Sequence, residues 1–503
     1  MVFTSPFWIA LVTGASELFS RLYEFSILKT TNVEMVMSNK SFLQIKKSVQ
    51  QKFSQSQQHE LAEAAFLRNL SEVLSRGDTV ISSKTLQAMS DLPQMSDLDG
   101  YGESGLRALP KLMICKLNGG LGTSMGLESA KSLIPVRSGL SFLDLTVKQI
   151  QAIQSRTEVS IPFFCMNSFR TQEDTMKVLD VSSLTQQLPL SILQNQVPKL
   201  QKDTFEPVDY SKDPSLEWCP PGHGDLYTVL QSSGLLARAL SAGYRYLFIS
   251  NADNLGATVS LEILGYMEKL QIPFLMEVAQ RTAIDRKGGH LAKTADGRLI
   301  LREKAQVGIE DEEDFQNFEK YDSFNTNSIW LDLEVLHKLL IAHNSILPLP
   351  VIVNEKRVNP RESNSTEVIQ LETAVGSAIS LFEGACAVRV PRSRFLPVKT
   401  TEDLLRVRSN LFSLNEECEL CGHEQSLAFP IELDSRYFGH IDQFEARFSK
   451  GVPSLLGARA FTVIGDVFFG ADVTCHGNTI VKNNAEAPFY IEDEATLGEM
   501  TAE

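Results

Sequence analysis

Lys111-Leu-Met-Ile-Cys-Lys-Leu117, closed at once by Asn118-Gly119-Gly120, is the stretch on which the fold turns. A short apolar run ending on a Gly-rich turn reads as a buried strand. Similar runs lie at 161–166, 246–250, 274–278 and 328–331, each followed by helical sequence. Strands alternating with helices of this size predict an α/β fold built on a mostly parallel, doubly wound sheet covered on both faces. Such sheets bind ligands beyond the carboxyl ends of their strands. The turns rich in Gly, Asn and Asp sit at those ends: 118–122, Asn167-Ser168, and Asn251-Ala252-Asp253-Asn254.

Outward from this centre the texture changes. From residue 41 to about 90 apolar residues recur at helical spacing, as in Phe42, Ile45, Val49, Phe53, Ala62, Phe66, Leu70, Val73 and Leu74. Residues 91–105, with Pro93 and three glycines, break this pattern and read as a linker. After Lys399 a helix at 401–412 precedes a stretch of weak helical periodicity. Residues 460–482 alternate β-branched residues with regularly spaced Gly, which predicts either short parallel rungs stacked like a β-helix or a small antiparallel sheet. The expected division is 1–105, an N-terminal extension and helical region; 106–400, the main domain; and 401–503, a linker helix and β-helix-like domain.

The chain has 503 residues, against a soft prior of about 150 per domain, so one module is not expected. Apolar residues at 43% and charged residues at 22% are globular proportions. With 47 Lys plus Arg against 62 Asp plus Glu, the net charge of −15 disfavours a nucleic-acid partner. Seven scattered cysteines suit a reducing compartment better than a disulfide framework. The apolar run at 7–12 falls short of the roughly 20 residues that span a bilayer, and no Lys or Arg precedes residue 21. It reads as an upstream extension, with Met35 or Met37 as alternative starts, and no membrane association is expected. The terminal Thr501-Ala502-Glu503 is not a peroxisome-type address.

The richest chemistry lies in residues 117–126, LNGGLGTSMG, with Lys131 beyond. Glycines at 119, 120 and 122 let backbone amides face anionic oxygen, so a phosphate cradle is the natural reading. Gly120, Gly122 and Gly126 also match a loose dinucleotide pattern. That reading needs an acid at the end of the next strand. Asp144 is at about the right distance, but 142–150 reads as the start of a helix. A lysine just past a phosphate loop can neutralise charge developing on phosphorus. Cys418-x-x-Cys421-x-His423 lacks the second pair a zinc site needs, and no G-x-S-x-G nucleophile motif occurs.

Residues 116–126 (KLNGGLGTSMG), 194–200 (QNQVPKL), 218–230 (WCPPGHGDLYTVL), 249–258 (ISNADNLGAT), 286–291 (RKGGHL), 324–331 (FNTNSIWL), 348–356 (PLPVIVNEK) and 391–400 (PRSRFLPVKT) occur in one order. Together they resemble the UTP:glucose-1-phosphate uridylyltransferases, or UDP-glucose pyrophosphorylases, most of all the protozoan branch. The match runs from about 108 to 410 and continues less distinctly to the C-terminus. It implies a Rossmann-like nucleotidyltransferase sheet.

By this resemblance Leu117, Asn118, Gly119 and Gly120 hold the nucleotide, and Lys131 sits on the UTP phosphates. Gln196 reads the uracil edge, its amide donating and accepting together, with Gln194 as the alternative. Gly222 lies against the nucleotide and His223 near the sugar phosphate. Asp253 is the expected Mg²⁺ ligand, since Mg²⁺ takes one or two protein oxygens plus substrate phosphate; it is also a turn or N-cap residue. Asn251, Gly289, Glu303, Asn325 and Asn327 resemble the sugar-binding set. Lys399 supplies a second positive charge to the phosphates, with Arg392 and Arg394 near enough to share the work.

The implied reaction is reversible, Mg²⁺-dependent transfer of uridylyl from UTP to glucose 1-phosphate, giving UDP-glucose and pyrophosphate. Alternatives are a pyrophosphorylase of broader UDP-sugar or UDP-N-acetylhexosamine specificity, a nicotinamide-dependent oxidoreductase and a non-catalytic sugar-nucleotide binder. The expected protein is a monomer of the cytoplasm, or of a metabolic organelle.

Overall fold

The computed structural model describes residues 39–498, apart from 77–79, 90, 123–124, 128, 180–183, 185, 283–284, 286–287, 363 and 423. The apolar run at 7–12, the alternative start residues, His423 and the C-terminal tripeptide lie outside the described residues. Two compact units are present.

The smaller unit contains helices α1 (Asn39–Ser54) and α2 (Glu60–Arg76). Ile45, Val49 and Phe53 on one helix and Ala62, Phe66 and Leu70 on the other are buried, as their spacing predicts. Phe53 packs on Phe66 and edge-on against Trp218. Residues 197–219 and 353–371 belong to this unit although they lie far along the chain. Lys52 forms an ion pair with Glu217 there.

The larger unit is organised around the first strand, β1 (Leu112–Asn118). Met113, Cys115 and Leu117 join one buried cluster, with Leu226, Leu236 and Leu336, while Leu112 and Ile114 join another, with Leu143, Ile150 and Ile263. A strand buried on both faces has no polar side to show, which is why its sequence is a continuous apolar run. Its neighbours β2 (Phe163–Asn167) and β3 (Tyr246–Asn251) run parallel to it. Beyond β3 the sheet contains β4 (Phe274–Gln280), β5 (His290–Thr294), β6 (Ser323–Asp332) and β7 (Cys386–Arg389). β6 is antiparallel to both β3 and β4, and β7 is parallel to β4. The sheet is thus mixed, with β6 reversed.

Residues 91–105, read as a linker, instead form the turn Met95–Tyr101 and the first half of helix Gly102–Ala108. That helix crosses Leu261–Leu270 at very short range. A Cβ on Gly105 would lie 1.8 Å from the Leu261 carbonyl oxygen, and one on Gly265 would lie 2.0 Å from that of Tyr101. The glycines are there for contact. Gly265→Ala should force the helices apart at the usual overpacking cost of about 1–3 kcal/mol. A lowered midpoint in thermal unfolding checks this.

Among the C-terminal strands, Ile431–Leu433, Ser454–Ile464, Thr474–Lys482 and Thr496–Leu497 form one sheet in which every pair is parallel. Val467–Phe468 and Phe489–Tyr490 pair parallel as well. Stacked rungs require this pairing, and the antiparallel alternative is excluded. Phe461, Val463, Val467, Phe469 and Val481 fill the interior, with the Phe469 ring stacked on Phe448.

Candidate active site

Because β1, β2 and β3 are parallel neighbours in register, Asn118 faces Asn167 and Leu117 faces Asn251 across the same rim of the sheet. The Asn118 side chain is spent inside this rim, donating to Asn167 Oδ1 at 2.7 Å and Thr175 Oγ1 at 2.8 Å. Its backbone carbonyl accepts from Thr171 Oγ1 at 2.7 Å. Gly119 lies against Gln194, whose Oε1 would be 2.8 Å from a Cβ there, while a Cβ on Gly120 would meet nothing within 4 Å. The loop then closes on itself: Leu121 bridges Ala130, and Lys131 N donates to the Gly120 carbonyl at 3.4 Å. This return places Lys131 beside the turn after β3, where its Nζ pairs with Asp253 Oδ2 at 2.5 Å.

Gly222-His223-Gly224 is strapped to residues 373–375. Gly224 N donates to the Thr373 carbonyl at 2.8 Å and Thr373 N to the Pro221 carbonyl at 3.0 Å. Val375 N donates to His223 Nδ1 at 2.9 Å, so the ring proton of the neutral histidine sits on Nε2. Gln194 Nε2 donates to the Gly222 carbonyl at 2.6 Å and thereby spans from the β1 loop to this turn. Gln196 is half-buried nearby in sequence.

The reversed direction of β6 delivers its start to the end of β3. Asn327 Nδ2 donates to Asn251 Oδ1 at 2.8 Å, and Asn327 N to Asn325 Oδ1 at 2.8 Å. Asn327 holds a left-handed backbone at φ +61, and its buried Oδ1 has no protein partner. An orphaned buried acceptor in a strained backbone suits a ligand hydroxyl. Gly289 lets Glu303 approach, since a Cβ there would lie 2.4 Å from Glu303 Oε2. Burial pushes the Glu303 carboxyl above its ordinary pKa, and the Lys399 charge opposes that rise.

His223, Asn251, Asp253, Gly289, Glu303, Asn325, Asn327 and Lys399 line one cleft of 830 Å³, and Lys131 adjoins it through Asp253. Leu117, Gly119, Gly120, Gln196 and Gly222 are not in its lining. Asp144 is the third residue of helix Phe142–Thr157, where it accepts from Ser141 N and Oγ. The helix reading stands, and the dinucleotide pattern loses its acid.

The UTP–glucose-1-phosphate uridylyltransferase family model matches residues 63–476. The chain belongs to this family. It is 41% identical to the Saccharomyces cerevisiae UTP–glucose-1-phosphate uridylyltransferase over 74% of each chain. A Dictyostelium discoideum enzyme of the same description is 38% identical over 83% of this chain and 82% of its own. Among solved structures, a Trypanosoma brucei UDP-glucose phosphorylase superposes with a TM-score of 0.82 at 42% identity, covering 91% of this chain and all of that one. A Leishmania major UDP-glucose pyrophosphorylase mutant in complex with UDP-glucose gives 0.83 at 39%, covering 91% and 99%.

Uridylyltransferases are nucleotidyltransferases, a class that generally uses a divalent metal. Among the described residues no cluster of three or more His, Cys, Asp or Glu could hold an ion unaided. One carboxylate, Asp253, at a strand end beside Lys131 fits an ion held largely by substrate oxygens. No described helix is long and apolar enough to cross a membrane.

One sequence-based expectation fails. Arg394 does not face the cleft: it is buried and forks onto Glu277, Nε to Oε2 and Nη2 to Oε1, both at 2.7 Å. Its charge is needed to compensate a fully buried carboxylate. Arg392 does line the cleft, held bidentate by Asp285 at 2.7 and 2.9 Å over the rings of Phe324 and Phe395. Asp285, Arg406 and residues 427–431 also line it and carried no motif signal.

Burial pushes His223 down to about 4. Burial, with Arg281 and Arg302 beside it, takes His290 to about 3. An unfolded histidine titrates near 6.5, so the unfolded chain binds more protons between that pH and these values, and stability falls as pH drops through the window. Asp225, raised to about 6 by burial, works in the opposite sense. The protein should lose stability from pH 7 to pH 5, and Asp225→Asn should steepen the loss. Denaturant midpoints at the two pH values read this directly, and an unchanged slope in the variant counts against it.

Proposed function

We propose that this chain transfers uridylyl from UTP to glucose 1-phosphate, releasing pyrophosphate and forming UDP-glucose, reversibly and with Mg²⁺. The observation that carries this is the Lys131–Asp253 pair beside a cleft that Lys399 also lines, and to which Asn251, Asn325, Asn327 and Glu303 bring amides and a carboxylate suited to sugar hydroxyls. An oxygen of the sugar phosphate attacks the α-phosphorus of UTP, the new P–O bond forms, and the bond to the β-phosphate oxygen breaks in line. Both reacting groups are anions and no proton moves, so a general base is not needed.

The chain's contribution is alignment and charge. Gly119, Gly120 and Gly222 bring backbone against the nucleotide, and the base edge is read by Gln196, or by Gln194, which is placed between Gly119 and Gly222. Lys131 and Lys399 neutralise the phosphates. Asp253 would hold Mg²⁺, which supplies further charge neutralisation when bound. Asn251, Gly289, Glu303, Asn325 and Asn327 take the sugar, and His223 Nε2–H donates to its phosphate. Preorganised donors of this kind are worth about 3–4 kcal/mol each in related oxyanion sites. Fixing two substrates in line removes up to roughly 7–11 kcal/mol of barrier in the best models.

The protein is proposed to act as a monomer in the cytoplasm. Pyrophosphate release measured with glucose, galactose and N-acetylglucosamine 1-phosphates tests the reading. Turnover confined to glucose 1-phosphate is expected; equal rates on all three would favour the broader enzyme, and no release on any would leave a binder.

A further inference from the structure

Asn254 follows Asp253 in the turn after β3 and is 1% exposed. Its Oδ1 accepts from Leu396 N at 2.8 Å and from Gly256 N at 3.2 Å, and its Nδ2 donates to the Arg394 carbonyl at 3.1 Å. An antiparallel bridge pairs it with Pro397. These bonds fasten residues 394–397, the arm that leads to Lys399, directly onto the turn that carries Asp253. Gly256 lets the arm lie flush, since a Cβ there would stand 2.3 Å from the Ser393 carbonyl oxygen and 2.9 Å from the Arg394 carbonyl carbon. Beneath the arm, the Arg394 fork on Glu277 and its Nη2 bond to the Thr258 carbonyl at 2.8 Å fix the same residues from the sheet side.

Asp253 lies in the turn after β3 and the arm with Lys399 follows β7, far along the chain, and Asn254 is a buried side chain that bonds one to the other. We propose that Asn254 is a positioning residue, setting the separation between the Lys131–Asp253 pair and the Lys399 ammonium so that both cations meet one triphosphate. This rests on the reading of Lys399 as a phosphate-neutralising group.

Asn254→Asp keeps the acceptor for Leu396 N but turns an oxygen toward the Arg394 carbonyl, pushing the arm away. A misplacement of about 1 Å can cost up to about 100-fold in rate, so kcat should fall at least about 10-fold with both KM values changed by no more than about 3-fold. In a Lys399→Ala background the same substitution should change kcat by no more than roughly 2-fold, because the group it positions is gone. Equal losses in both backgrounds, or a rise in KM alone, would overturn the proposal. If Lys399→Ala by itself turns over normally, the reading of the site fails instead, which is a separate outcome. Gly256→Ala displaces the same arm by a different contact and should show the same dependence on Lys399. Far-UV circular dichroism and the thermal midpoint report folding, and failure of both variants to fold would assign Asn254 a purely structural role.

Discussion

Lys131→Ala should lower kcat by about 10²–10³, the loss typical of removing one preorganised charge-stabilising donor. The fold should survive, because Lys131 Nζ is tied only to Asp253 in the described hydrogen bonds and both side chains are partly exposed. Lys399→Ala should cost a similar factor, with a further signature. Lys399 holds down the pKa of buried Glu303, so its removal lets that carboxyl rise and take up a proton at higher pH. The acid limb of the rate profile should therefore move to higher pH in Lys399→Ala and stay in place in Lys131→Ala. Steady-state kinetics from pH 5 to 8, with circular dichroism as the control, decide it. Unchanged spectra with near-normal turnover in either variant would remove that lysine from the mechanism.

Gly222→Ala should reduce kcat/KM for UTP by about 100-fold, the scale on which a small displacement of reacting groups is felt. Gly222 sits at φ +79, and an added Cβ would lie 2.5 Å from the Thr373 carbonyl oxygen and 2.7 Å from its nitrogen. Backbone atoms that themselves bond Gly224 and Pro221 cannot swing aside like a side-chain tip, so the turn must move. Its movement would carry His223 away from Val375 N and break the bond from Gln194 to the Gly222 carbonyl. Gly139→Ala is the matched control: it too has positive φ, at +75, but nothing lies within 4 Å of the added carbon, and it is not part of the cleft lining. It should cost stability without the selective loss on UTP.

The strands were legible because burial on both faces leaves an uninterrupted apolar run, as in residues 112–117. Their direction was not, since Ser328–Leu331 is equally apolar read either way, and the reversal of β6 depends on its pairing with β3 and β4. Helical spacing identified α1 and α2, but their partners at 197–219 and 353–371 are short extended pieces without periodicity. At the site, Gly- and Asn-rich turns marked the strand ends correctly. The fate of Arg394 was signalled only by Glu277, a lone carboxylate in the apolar run FLMEVAQ, which has to be matched by a buried cation. Lys116 in β1 makes the same point from the other side: its Nζ is satisfied by Ser250 Oγ and the Ala257 carbonyl, and burial takes it down to about 8.

The head-to-tail meeting of β6 with β3 also has a consequence for change over time. In the proposed site the groups offered to the hexose, apart from Asn251 and His223, come from one continuous stretch between Gly289 and Asn327, whereas the triphosphate would be served by residues 117–131, 222, 253 and 399. The two ligands would thus draw largely on separate stretches of the gene, which meet where β6 pairs with β3 and Asn327 Nδ2 donates to Asn251 Oδ1. Grafting residues 289–327 from a relative that accepts another sugar should retarget the acceptor while leaving the nucleotide machinery as it is.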